Sequence, residues 1–140
     1  MAHTIHVDVV SLDEHIYEGE AEFVVLPGIA GELGVYPRHT PLLTQIKAGV
    51  VRIKVPGQAE EVPLFVQGGY LEVQPDRVTV LADSAVRASD LDEAAILEAK
   101  RAAEELISKK MSDEEVAIAE AELATSMAQL QALRKLKSRY

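Results

Sequence analysis

Residues 78–93 read Val78-Thr79-Val80-Leu81-Ala82-Asp83-Ser84-Ala85-Val86-Arg87-Ala88-Ser89-Asp90-Leu91-Asp92-Glu93, and the chain changes its chemistry within them. Up to Leu81 apolar and polar side chains alternate with period two, as in a strand with one buried face. From Ser89 onward a capping residue, Ser89 or Asp90, is followed three positions later by an acid, the signature of a helix start. All 8 Gly and all 6 Pro lie within the first 75 residues, and 15 of 16 Val lie at or before Val86. The 52 residues from Ser89 hold 11 Ala, the strongest helix former. Branching at Cβ restricts Val in helices, so both trends place a β-to-α boundary near Ala88-Ser89.

Upstream, Ile5, Val7 and Val9 share one strand face, and Val51, Ile53 and Val55 oppose Arg52 and Lys54. Pro56-Gly57 then marks a reversal before a strand from Val62 to Val66, with Pro63 at an edge or bulge. Tyr70 to Gln74 and Arg77 to Leu81 form the next pair, turned by Pro75-Asp76. So many short strands predict a β-sandwich or flattened barrel over residues 1–88. Downstream, one helix is expected from Ser89 to about Ser108. A second follows the capping box Ser112-Asp113-Glu114-Glu115 and runs to about Lys137. Ala95, Ala99 and Ala102 would give a close seam, facing Leu123, Met127, Leu130 and Leu133. Residues 89–140 therefore read as an antiparallel two-helix hairpin.

The 140 residues are 48% hydrophobic, enough for one or two small cores. A net charge of -9 opposes phosphate neutralisation and argues against a nucleic-acid partner. With no cysteine there is no disulfide framework, thiolate zinc site or cysteine nucleophile. No apolar run is long enough to cross a bilayer, and the first residues, Met1 to Asp8, lack the pattern of a signal or transit peptide, so no membrane insertion is expected.

Candidate chemistry is sparse. Gly28, Gly31 and Gly34 follow an apolar run, but Val35-Tyr36-Pro37 stands where a phosphate loop would open a helix, so turn geometry is the better reading. On one strand His6 and Asp8 would project from the same face, yet two ligands do not make a metal site, and none is expected. Glu18, Glu20 and Glu22 alternate as solvated edge residues would. Ser11, Ser84 and Ser89 lack a nucleophile-elbow context. The helical half is polarised: residues 90–122 carry 11 acids and 4 bases, whereas residues 123–140 carry no acid and the bases Arg134, Lys135, Lys137 and Arg139. That basic end suits a helix C-terminus and equally suits an acidic partner surface. On residues alone, a free-standing β-sandwich binding module with a helical dimerisation arm is an open reading, and an enzyme ranks behind it.

Four stretches in order carry a resemblance: Gly31-Glu32-Leu33-Gly34-Val35-Tyr36-Pro37-Arg38-His39-Thr40-Pro41-Leu42, Gly68-Gly69-Tyr70-Leu71-Glu72-Val73, Val78-Thr79-Val80-Leu81-Ala82-Asp83, and Leu91-Asp92-Glu93-Ala94. Through this series the chain resembles the epsilon subunits of F-type ATP synthases from near its first residue to near its last. The resemblance implies a non-catalytic rotor subunit of the central stalk, coupling proton translocation to ATP synthesis at the cytoplasmic face of a bacterial membrane. It implies that the sandwich joins the gamma subunit and the c-subunit ring, with Gly31, Glu32 and Leu33 facing the ring and His39 toward gamma. It further implies an arm that restrains ATP hydrolysis by extending toward the alpha and beta catalytic subunits, where Arg134, Lys135, Lys137 and Arg139 would pair with acidic segments of beta. Some members of the family bind ATP through a pattern like Ile/Leu-Asp-x-x-Arg-Ala. Here Ala95 occupies the arginine position, so neither ATP nor another cofactor is expected. The isolated chain is expected to be a monomer.

Overall fold

A computed structural model describes residues 3–109 and 112–137, and of Lys137 only the backbone. Eight strands come first: β1 (Ile5–Val10), β2 (His15–Ala21), β3 (Phe23–Gly28), β4 (Gly31–Val35), β5 (Leu42–Lys54), β6 (Glu61–Gln74), β7 (Arg77–Ala82) and β8 (Ala85–Arg87). A 3-10 turn at Ala88–Asp90 leads to α1 (Glu93–Ser108) and α2 (Asp113–Lys137). The expected architecture, a β-sandwich followed by a two-helix hairpin, is what the chain adopts.

The strand path runs β2-β1-β7-β6-β5-β3-β4 without closing, and β8 pairs with β6 off that path. β1 and β7 are parallel, and the other pairings are antiparallel. The two long strands make the two layers. The first part of β5 pairs with the last part of β6 (Leu42↔Val73 to Ile46↔Gly69), beside β7 and β1. Past Lys47 the same register continues from Ala48↔Gln67 to Lys54↔Glu61, beside β3 and β8. Val62–Val66 and Tyr70–Gln74, which the sequence suggests are separate strands, are thus one strand bent at Gly68 and Gly69. Their φ angles of 94° and 131° suit glycine. At Gly69 a Cβ would lie 2.1 Å from the Leu81 carbonyl oxygen, so the layers cross over at a point that admits no side chain. Pro63 sits next to Leu64, where the β8 pairing ends, an edge position for a residue without an N–H.

Between the layers Ile5, Val7, Val9, Val24, Leu26, Val51, Ile53, Leu64, Val66, Leu71, Val78 and Val80 form one buried cluster. On the other face of β5 and β6, Val50 and Phe65 are buried as well, with Ala88 and Ala132. That stretch is covered on both sides because α2 packs on β5 and β6.

The helical half departs from expectation in detail. Asp92, not Ser89 or Asp90, caps α1 through its carboxylate and the Ala95 N–H at 3.3 Å. Ser89 and Asp90 are taken up by the 3-10 turn that buries Ala88. Ser112 does cap α2, its Oγ 3.3 Å from the Glu115 N–H. The interhelical seam uses Ile96 and Ala103 on α1, while Ala95, Ala99 and Ala102 face solvent. On α2 it uses Ala119, Leu123, Ser126, Leu130 and Leu133, and Met127 is exposed. The reason is that α2 has two loads: Leu130 and Leu133 meet Ile96, whereas Ala128, Ala132 and Leu136 meet the sandwich. The apolar stripe is split between two partners.

Candidate functional site

Gly28 and Gly31 pair across a two-residue hairpin turn made by Ile29 and Ala30. Gly31 adopts φ 142°, and on Gly28 a Cβ would meet the Gly31 carbonyl at 2.6 Å, so the glycines make a tight tip rather than a phosphate cradle. Gly31 and Glu32 are exposed and Leu33 is half-buried, beside a shallow depression of about 210 Å³ lined also by Leu42 and Thr44. Glu32 is positioned from the neighbouring strands, because Arg52 on β5 reaches it at 3.2 Å and Glu61 at 3.3 Å. Arg52 Nε is buried without a hydrogen-bond partner, the sole such side-chain atom among the described residues.

His39 lies in the segment leading to β5, half-buried, with its Nδ1 2.6 Å from the Thr40 carbonyl. Its neighbour Arg38 has φ 69° and donates its N–H to the Pro75 carbonyl at 2.7 Å. These contacts put His39 at the β6–β7 turn end of the first layer. On the outer face of that layer lies a feature not singled out by sequence reading. Register aligns Val10 with Leu81, Leu81 with Tyr70, and Tyr70 with Gln45, with Leu43 two residues before Gln45 on the same face. Leu43, Tyr70 and Leu81 are 70%, 51% and 55% exposed. Isolated exposed apolar residues need no explanation, but three on adjacent strands form a patch of the kind that marks an interface. The signal was present in the alternation, whose outward positions carry Leu and Tyr where polar residues are the norm.

Of the four basic residues at the chain end, Arg134 is exposed. Lys135 turns toward the sandwich, lining a crevice of about 280 Å³ with Pro27, Glu32, Lys47, Gly49 and Gln131. The Lys137 side chain and Arg139 lie outside the described residues. Ala95 is exposed on the first turn of α1, its N–H engaged by the cap.

On the β1–β2 edge, His6 and Asp8 do share a face, opposite Glu20 and Glu18. His6 Nε2 is 3.0 Å from Glu18 and its Nδ1 is 3.4 Å from Glu20. Burial of the imidazole opposes its protonation. The hydrogen bonds to Glu18 and Glu20 and the Asp8 charge outweigh that burial and the opposing Arg77, so the His6 pKa rises above its ordinary value. The Tyr17 phenol is also raised, by burial, with the Arg87 guanidinium 5.9 Å from its ring pulling the other way.

Two protein families match the two halves: the ATP synthase delta/epsilon chain β-sandwich domain over residues 4–88, and the long α-helix domain of the same chain over residues 89–134. The chain belongs to the ATP synthase delta/epsilon family. Curated relatives are the ATP synthase epsilon chains of Herminiimonas arsenicoxydans, 59% identical, and of Nitrosomonas eutropha, 58% identical. Each alignment covers 139 residues and 99% of both chains. Recognition on the residue series is thereby borne out: this is an epsilon subunit of ATP synthase. Among solved structures, the Euglena gracilis mitochondrial ATP synthase (OSCP, F1 and c-ring) contains a chain with TM-score 0.70 at 18% identity, covering 97% of this chain and 81% of that one. The central stalk and c-ring structure from Tetrahymena thermophila contains another, with TM-score 0.60 at 12% identity, covering 92% and 96%. At those identities the likeness is one of fold. Among the described residues no helix of this epsilon subunit is long and apolar enough to cross a membrane.

Proposed function

We propose that this epsilon subunit is a non-catalytic rotor element of the central stalk, holding the gamma subunit with one face of its sandwich and the c-ring with the β3–β4 tip. The observation that carries the reading is the exposed Leu43, Tyr70 and Leu81 patch on a chain whose family assembles into ATP synthase. Gamma is the occupant proposed for that patch, with His39 at its rim. The exposed Gly31 and Glu32 and the half-buried Leu33 are proposed to meet polar loops of the c-ring, a contact that would hold the subunit peripherally on the cytoplasmic face of the membrane. Residues 1–88 would then be the docking unit and residues 89–140 the regulatory arm. The arm rests on the sandwich in this structure and restrains hydrolysis when it extends toward the alpha and beta subunits. Arg134, Lys135, Lys137 and Arg139 are the proposed contacts with beta. In this reading the isolated subunit is a monomer.

The test is binding of the full chain to a gamma subunit from the same source, read by sedimentation. A one-to-one complex that Leu43→Asp with Tyr70→Ser abolishes, while Met127→Ser on the exposed side of α2 leaves it intact, supports the assignment. A complex indifferent to the sandwich substitutions, or self-association in place of a complex, overturns it and returns the independent binding module.

A further inference from the structure

Around His6 the antiparallel register of β1 and β2 assembles donors that are far apart in sequence. His6 Nε2, a carboxylate oxygen of Asp8 and one of Glu18 all lie within 4.8 Å of one another. His6 Nε2 lies 3.0 Å from Glu18 Oε2 and 3.6 Å from Asp8 Oδ1. A tetrahedral ion with bonds of about 2.1 Å separates its ligand atoms by roughly 3.4 Å, and the 3.0 and 3.6 Å separations from His6 Nε2 bracket that value. Sequence reading had reached only two of the donors. Glu18 is brought in by the Asp8↔Glu18 pairing.

The surroundings independently match what a metal site needs beyond its ligands. His6 Nδ1 faces Glu20 Oε1 at 3.4 Å, which fixes the ring and leaves Nε2 for the ion, the histidine–carboxylate arrangement common behind metal-bound imidazoles. Asp8 is held in the same way. Its carboxylate is nine-tenths buried, and Arg77 grips Oδ2, leaving Oδ1 toward His6 and His15. Nitrogen and carboxylate donors without thiolate suit zinc among the divalent transition metals.

We propose that His6, Asp8 and Glu18 form a three-ligand zinc-binding site, its fourth position open to solvent, that ties β1 to β2 at the edge of the sandwich. Bound there, the ion bridges two strands whose outer faces carry Glu18, Glu20 and Asp8, and offsets the repulsion among them.

The experiment is calorimetric titration of zinc chloride into the full-length chain after chelator treatment, followed by nitrogen-15 imidazole spectra of the same sample. One zinc per chain with a dissociation constant of micromolar order, with the largest imidazole shift at His6 and none at His3 or His39, is the expected result. His6→Ala and Glu18→Gln should each weaken binding at least tenfold, and His39→Ala should leave it unchanged. Glu18→Gln keeps the size and register of an exposed strand residue, so it reports even where His6→Ala perturbs folding. Binding weaker than millimolar, shifts at His3 or His39 instead, or a Glu18→Gln variant with undiminished affinity would each overturn the site.

Discussion

Phe65 of β6 and Ala132 of α2 are packed in one buried cluster, the ring 1% and the methyl 0% exposed, and this contact holds the helical arm on the sandwich. The cluster is small: Val50, Phe65, Ala88 and Ala132, with Leu91, Ala128 and Leu136 around them. A charge placed at Ala132 has no partner there, and an uncompensated buried charge costs several kcal/mol. Ala132→Glu should therefore release the arm while the sandwich, with its separate core, stays folded. Hydrogen exchange checks this, with amides of α1 and α2 losing protection by tenfold or more and those of β1 and β7 unchanged.

Gly69 makes a sharper demand on the sandwich itself. Its φ of 131° is a region left to glycine, and an added Cβ would stand 2.1 Å from the Leu81 oxygen and 2.8 Å from the Ala82 Cα. Gly69→Ala should cost about 3 kcal/mol or more, from backbone strain and displacement of β7. By contrast Gly57, at φ 81° with open space around it, should accept Asn at a cost of about 1 kcal/mol or less. Urea denaturation of the two variants separates these outcomes.

The same residues show which parts of the molecule a sequence discloses. Period-two alternation and the concentration of Gly and Pro ahead of Asp76 were enough for the sandwich, and Ser112 was enough for the start of α2, because such signals act within a few residues. The stretches 62–66 and 70–74 were legible as extended, but that Gly68-Gly69 bends one strand between them was not, since the close approach of Leu81 decides it. The Ala95, Ala99 and Ala102 face was misread because helix periodicity gives several small-residue faces, and the position of β5 and β6 selects among them. Glu18 and Glu20 are exposed on the edge strand as expected, and what the sequence did not disclose is that register sets them against His6, a long-range property. The outward Leu43, Tyr70 and Leu81 were visible as an anomaly in the alternation, yet became a patch only when three strands aligned.

Arg52 links the β3–β4 tip to the rest of the sheet through Glu32 at 3.2 Å. Glu32 is well exposed, so this pair contributes little to stability, about 0–1 kcal/mol. Its consequence is positional. Arg52→Leu should leave the folded chain within about 1 kcal/mol of its original stability yet loosen Glu32 in the proposed ring-facing tip. Loss of about 1 kcal/mol of oriented contact is roughly a fivefold drop in affinity for c-ring membranes. Titration of F1 carrying the variant onto stripped membranes measures that drop, and an unchanged curve would remove Glu32 from the interface.

The absence of cysteine makes the position of the arm directly controllable. Val50 and Ala132 belong to the same cluster, so a Val50→Cys, Ala132→Cys pair introduces two thiols that meet only while the arm lies on the sandwich. Oxidation then pins α2 and keeps Arg134 and Lys135 away from the catalytic subunits. If extension of the arm is what restrains the enzyme, the oxidised complex should hydrolyse ATP severalfold faster than the same complex after reduction. Ala132→Glu should act in the opposite direction, lowering hydrolysis by freeing the arm, and its effect should shrink at high salt because the basic contacts it favours are screened. Hydrolysis assays on the three forms at low and high salt provide the comparison. Equal rates in the oxidised and reduced forms would separate arm position from inhibition, leaving the docked cluster with a purely structural role.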